Sequence, residues 1–185
     1  MIELPPNLRN RTILHLGAGE KYDSNCVNVD LVASTKPDIV HNLDVFPWPL
    51  PDNHFEAVWA YDVLEHLDNL IRVMEEIHRV CRPDAKVTIT LPHFSSANAY
   101  TDITHRHYFS VNSFNYFTGD NECGFYTDKR FRKLSAEIIF YPSITNKFVH
   151  RYAKRWPTAY EQRWAWIFPA WFLSFQLQVI KRADA

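Results

Sequence analysis

The sequence predicts an α/β fold, a mainly parallel sheet with a ligand crevice along the carboxyl ends of its strands. Three observations carry that expectation. The run Ile13-Leu14-His15-Leu16 breaks into Gly17-Ala18-Gly19, and a second apolar run, Val27-Asn28-Val29, ends in Asp30. The segment Asp38-Ile39-Val40 repeats the pattern on a shorter scale, with Asp44 just beyond its end. Phe55 to Tyr61, a helical stretch, and Ala85 to Leu91 then follow as strand, helix and strand. Alternating units of this kind lay helices against a parallel sheet and put ligands at its carboxyl edge.

Taken in order, the first element is a short buried strand ending in a glycine turn. Glycines let backbone N–H groups approach a ligand closely, and an acid ending the second strand can accept bonds from two ribose hydroxyls. A plain tight turn without a ligand is the alternative. About ten residues separate Gly19 from Asp30, against roughly twenty in the dinucleotide fingerprint, which also requires a third glycine. Parallel neighbours normally need a crossover of about a dozen residues or more. The first two gaps are shorter than that, so either the crossovers have shrunk to turns and loops or the strand limits differ. Phe46-Pro47-Trp48-Pro49-Leu50-Pro51 is too rich in proline for a helix or a central strand. A helix is predicted over 69–81, where Leu70, Val73, Met74, Ile77, Val80 and Cys81 form one apolar stripe. Asp68 can cap its start and Arg82-Pro83 ends it. Two further strands are expected at Leu134 to Tyr141 and Leu173 to Ile180, the second alternating apolar and polar residues.

The 185 residues suit a single domain, with 12–91 as a cofactor-binding half and 92–185 as an acceptor-side loop and carboxyl-terminal strands. A formal net charge of −1 gives no basic footprint, so no nucleic-acid partner is indicated. Cys26, Cys81 and Cys123 contain no C-x-x-C spacing, which argues against a zinc ribbon or disulfide framework. The start Met1-Ile2-Glu3-Leu4-Pro5-Pro6 lacks the pattern of a secretory signal, so a cytoplasmic location is expected. No run reaches the roughly 18 apolar residues of a membrane span. The aromatic stretch from Trp164 to Leu173, with Arg151, Lys154, Arg155 and Arg163 upstream, could make peripheral membrane contact. The simpler reading packs Trp164, Trp166, Phe168 and Trp171 over one side of the sheet.

In this order the motifs resemble a class I S-adenosylmethionine-dependent methyltransferase, of the small bacterial, methyltransferase type 11-like kind. The resemblance rests on the glycine turn and Asp30, on Asp44-Val45-Phe46-Pro47-Trp48-Pro49, on Asp52-Asn53-His54-Phe55-Glu56 and on Val63-Leu64-Glu65-His66-Leu67. It spans residues 12–118 well. It implies a three-layer, Rossmann-like sandwich with a seven-stranded sheet and an antiparallel last strand. With about eleven residues before the first strand, this would be a compact version lacking the usual N-terminal helices. S-adenosyl-L-methionine is the implied cofactor. Gly17, Ala18 and Gly19 would line its methionine end, Asp30 would take the ribose hydroxyls and Leu31 would pack on the adenine. Asp44 and Val45 would also meet the adenine, and Tyr61 the methionine portion. The family's glycine turn after the helix reads Arg82-Pro83-Asp84-Ala85 in this chain, which implies a different turn type.

Directly after the strand ending at Leu91 come His93, Asp102, His105 and His107. One of them could take a proton from an acceptor, since imidazole titrates near neutral pH. All four could bind a divalent metal, or they could tie down a loop over the site. His105 and His107 alternate and would point to opposite faces if the chain is extended. The candidate catalytic residues are therefore His93, Asp102, His105 and His66, with no resident metal expected. A structural reading of Glu65-His66, at a helix start, stands beside the catalytic one. The function implied is methyl transfer to a small-molecule acceptor, a sugar or other metabolite. The alternative is a non-catalytic module of the same fold that binds S-adenosylmethionine or a nucleotide. A nicotinamide-dependent reductase is disfavoured by the short Gly19–Asp30 gap.

Overall fold

The computed structural model describes residues 2–119, 126–142 and 146–181, so Cys123 lies outside the described residues. Seven strands form one sheet: β1 (Ile13–Leu16), β2 (Cys26–Asp30), β3 (Ile39–Val40), β4 (Phe55–Tyr61), β5 (Cys81–Pro92), β6 (Arg130–Ile139) and β7 (Phe172–Ile180). Their order is β3-β2-β1-β4-β5-β7-β6. The first five run parallel, while β7 inserts antiparallel between β5 and β6. The α/β sheet with its antiparallel last strand is as the sequence implies. The α-helices are α1 (Leu70–Val80), α2 (Asn98–Thr101), α3 (Asn146–Arg155) and α4 (Pro157–Arg163).

Side-chain alternation explains why this sheet has one dry face. Leu14, Leu16, Val58, Ala60, Val87, Ile89, Leu173, Phe175 and Leu177 share that face and are fully buried. Val73, Met74, Ile77 and Val80 of α1 join the same core. Against it α1 also sets His78 edge-on to Phe131, with ring centres 5.7 Å apart. A 3-10 turn, Ser113–Phe117, lays Phe114 on Phe175 at 4.8 Å. The opposite face carries Trp59, Tyr61, Thr88, Thr90, Ser174 and Gln176, all half-buried or exposed. The loop between β1 and β2 is held to the sheet by Asp23, which exchanges bonds with Asn28.

The short crossovers are real. Residues 17–25 join β1 to β2 without a helix, and one 3-10 turn, Ala33–Thr35, joins β2 to β3. Asp38 holds this tight region together. Its carboxylate accepts from the Asn28 backbone and side chain, from the Tyr22 hydroxyl and from Arg11. Burial alone would raise its pKa, but these bonds hold it below the usual carboxylate range. Between β3 and β4 the proline-rich segment replaces a crossover helix and is anchored by buried Trp48. Its indole donates to Leu43 O at 2.9 Å and its backbone N–H to Glu76 Oε2 at 2.7 Å.

Four local expectations change. Asn69 rather than Asp68 caps α1, accepting from Arg72 N at 3.1 Å, because Asp68 is turned toward Arg106. The helix passes straight into β5 at Cys81, and the irregularity lies in the β4–β5 pairing, where Phe55 faces Cys81 but Ala57 faces Lys86. Asp84 keeps the left-handed conformation a glycine would supply, with φ 63°, a region Asp tolerates better than most residues. The tryptophans do not cover the sheet. Trp166 and Ile167 are 70% and 65% exposed in the turn after α4, while Trp171 stacks on Tyr141.

Candidate active site

Both halves of the site lie on the carboxyl edge, which is where the sequence pattern puts them. On the β1–β2 side, Gly17 and Gly19 take φ 63° and 49°. Gly17 is obligatory for a second reason, because a Cβ there would stand 2.6 Å from Val63 Cγ2. A Cβ on Gly19 would meet nothing within 4 Å, so that glycine borders open space. Gly17 N and Ala18 N both donate to Val29 O, which folds the turn back over β2. Asp30 fixes the turn further. Its Oδ2 accepts from Gly19 N at 2.7 Å and its Oδ1 from Val32 N at 2.8 Å. Beyond the strand ends Leu31 and Val45 are 63% and 54% exposed, an unusual pairing of bare aliphatic surface with edge acids. Asp44 Oδ1 accepts from Asp68 N at 2.8 Å and Asn69 N at 3.4 Å, tying the segment after β3 to the start of α1. Tyr61 ends β4 half-buried and stacks on Trp59.

On the other side a cleft of about 620 Å³ opens beyond the ends of β4 and β5. Asp62, Glu65, His66, Asp102, His105 and Phe172 are among its walls. The 3-10 turn Leu64–His66 after β4 swings Glu65 inward, leaving it 1% exposed. The Glu65 carbonyl then accepts from Arg106 N at 2.7 Å and His107 N at 3.3 Å, drawing the histidine loop over the cleft. Neither carboxylate oxygen of Glu65 has a hydrogen-bond partner among the described residues. Burial, with Asp62 and Asp102 nearby, pushes its pKa up to about 7. His105 Nδ1 bonds Ala99 O at 3.0 Å. His66 Nδ1 bonds Thr104 Oγ1 at 2.8 Å, and that hydroxyl donates to Asp102 Oδ1 at 2.7 Å. The two imidazoles meet edge to face, 4.7 Å between centres.

The structure brings together three of the four candidate catalytic residues, His66, Asp102 and His105, and removes the fourth. His93 is fully buried, with Nδ1 bonded to Ser95 Oγ at 2.8 Å and Nε2 to Glu161 Oε1 at 3.1 Å. It joins the β5 end to α4 and reaches no acceptor. His107 is not among the cleft walls and sets its ring near Phe109, so the set His93, Asp102, His105 and His107 is not assembled. Glu65 is the functional side chain that sequence reasoning undervalued. Its signal was an acid beside a histidine in the short turn that follows β4.

The strand order, the antiparallel β7 and a glycine-turn crevice beside a second cleft define a class I S-adenosylmethionine-dependent methyltransferase fold. Residues 15–89 match the sequence model of the methyltransferase domain, a match in keeping with methyl transfer and with S-adenosylmethionine as cofactor. No curated protein matches the chain. Among solved structures it is similar to an S-adenosylmethionine-dependent methyltransferase from Mesorhizobium loti, with a TM-score of 0.59 at 13% identity over 94% of this chain and 93% of that one. A second such enzyme, from Archaeoglobus fulgidus, gives 0.57 at 16% identity over 94% and 88%. The [4+2]-cyclase SpnF gives 0.56 at 14% identity over 92% and 75%. The residues fit the cofactor: the open side of Gly19 offers a cradle, Asp30 a carboxylate, and Leu31 and Val45 apolar surface at neighbouring strand ends.

Proposed function

We propose that this chain acts in the cytoplasm, transferring the methyl group of S-adenosylmethionine to a small molecule, a sugar or other metabolite, held in the Glu65–His105 cleft. The observation that carries the reading is that cleft, placed at the ends of β4 and β5 beside the glycine turn. Gly17, Ala18 and Gly19 would hold the methionine end, Asp30 the ribose, and Leu31, Asp44 and Val45 the adenine. Tyr61 would bound the methionine portion. When bound, the cofactor's sulfonium supplies a methyl group to any nucleophile aligned behind it. The protein's task is to align the acceptor and exclude water. Where the acceptor carries a proton at working pH, Glu65 and His105 provide lone pairs to receive it.

Calorimetric titration with S-adenosylhomocysteine, with NADH as control, tests the cofactor assignment. Micromolar binding of the first alone supports it, and silence for both refutes it. Fold likeness alone does not fix the chemistry, since a cyclase shares this architecture. A non-catalytic binding module is therefore the second reading. Release of S-adenosylhomocysteine from S-adenosylmethionine, on addition of a small-molecule fraction, separates the two. Exposed Phe148, beside Arg151, Lys154 and Arg155, together with the exposed Trp166 and Ile167, favours peripheral membrane contact as an accessory property. Flotation with anionic vesicles would detect it.

A further inference from the structure

Glu65 is a buried carboxylate with neither oxygen hydrogen-bonded among the described residues. One ligand atom from each of Glu65, His66 and His105 lies within 4.8 Å of the other two, and no other His, Cys, Asp or Glu group among the described residues is so gathered. All three atoms are electron-pair donors. The reason is second-hand, set by what each ring already bonds. Ala99 O can only accept, so His105 Nδ1 carries the proton and Nε2 is left bare, 4.0 Å from Glu65 Oε1. Thr104 Oγ1 gives its proton to Asp102, so it accepts from His66 Nδ1 and leaves His66 Nε2 bare as well. Each imidazole is thus locked in one tautomer by a partner on its far nitrogen, an arrangement that orients and enriches metal-ligating histidines.

We propose that Glu65, His66 and His105 bind one divalent first-row transition-metal cation, with Asp102–Thr104 and Ala99 O as its supporting contacts. Two imidazoles and a carboxylate suit zinc, manganese, iron or cobalt better than the oxygen-preferring magnesium and calcium. Metal–ligand distances of about 2.0–2.2 Å put donors around one ion roughly 3–4 Å apart, so closure asks about an ångström of side-chain movement. Half-buried His66 has the freedom to supply it. Three protein ligands leave coordination positions open toward the cleft, where oxygens of a hydroxyl- or carboxylate-bearing acceptor would bind. Binding of the ion stands by itself, whereas its service to an acceptor rests on the methyl-transfer reading.

The test uses the full, tag-free chain after dialysis against a chelator. Cobalt(II) is titrated while visible ligand-field bands are followed, and zinc(II) is titrated by calorimetry. One site per chain is expected. Glu65→Gln and His105→Ala should each weaken binding at least tenfold while circular dichroism stays unchanged. Thr104→Val, which touches only the supporting contact, should weaken it roughly 10- to 100-fold. If Glu65→Gln does not fold, the other two variants carry the test. Absence of cobalt bands, or equal affinity in the folded variants, overturns the proposal. S-adenosylhomocysteine is titrated in parallel. Its binding without metal binding sinks this inference alone, and metal binding without it sinks the methyltransferase reading alone.

Discussion

At the ends of β2 and β3 the acidic side chains are already bonded to backbone, while at the ends of β4 and β5 an acid and two histidines face one another without donors. Asp30 holds Gly19 N and Val32 N, and Asp44 holds the approach to α1. Glu65 holds nothing through its carboxylate. The side proposed for the cofactor is therefore pre-shaped by its own hydrogen bonds, which lowers the ordering cost of binding. The side proposed for the acceptor instead buries a carboxylate with no hydrogen-bond partner among the described residues, a costly arrangement of the kind found at functional sites.

The sharpest way to break this contrast is at the glycines. Gly17→Ala adds a Cβ 2.6 Å from Val63 Cγ2 in a left-handed conformation, and should cost about 2–4 kcal/mol of stability together with S-adenosylhomocysteine binding. Gly19→Ala meets no protein atom within 4 Å, so its stability cost should be only about 1 kcal/mol. Yet that Cβ enters the space assigned to the ligand, and affinity should fall as far as in Gly17→Ala. Denaturant melts with calorimetry read both. Unaltered affinity in Gly19→Ala would remove the turn from the cofactor site.

On the other side, Glu65 makes stability depend on pH in an unusual direction. Burial pushes its pKa up to about 7 in the folded chain, from about 4.5 for a free glutamate side chain. Between those values the folded protein keeps a proton that the unfolded chain releases, so stability falls as pH rises. In the chelator-treated protein the loss from pH 4.5 to 8 should be on the order of 3 kcal/mol. Glu65→Gln should abolish that slope, and chemical denaturation across the range checks it. An identical slope in the variant would mean that the carboxylate finds a partner in solution.

Asp30→Ala probes the preformed side at its centre. Removing the acceptor of two backbone N–H groups should cost about 1–3 kcal/mol. If the register of β2 is as read, S-adenosylhomocysteine affinity should drop at least tenfold. An unchanged dissociation constant would leave Asp30 a purely structural brace.

These two sides were also unequally legible. Gly17, Gly19 and Asp30 are visible because a turn with positive φ and a strand-end acid have local signatures. The 55–61 strand was legible for the same reason, bounded by prolines on one side and Asp62 on the other. The role of Glu65 was not, since its burial comes from a single 3-10 turn and from a loop some forty residues later. His93 misled for a similar reason, as its partner Glu161 is 68 positions away. The exposed Trp166 shows a different limit. Aromatic content signals apolar surface but not whether another part of the chain covers it.

The smallest expected effect falls on Asp44, where the two designs overlap. One oxygen serves Asp68 N and Asn69 N, much as a cap serves a helix start, so Asp44→Ala should cost about 1 kcal/mol. Because only Leu67, Asp68 and Asn69 separate the Leu64–His66 turn from α1, loosening this contact also frees the segment that carries Glu65. The variant should therefore lower cobalt affinity slightly and S-adenosylhomocysteine affinity by less than Asp30→Ala does. Equal loss of cofactor binding in both variants would instead make Asp44 a direct adenine contact. That outcome would assign the preformed side two ligand-binding acids rather than one acid and one brace.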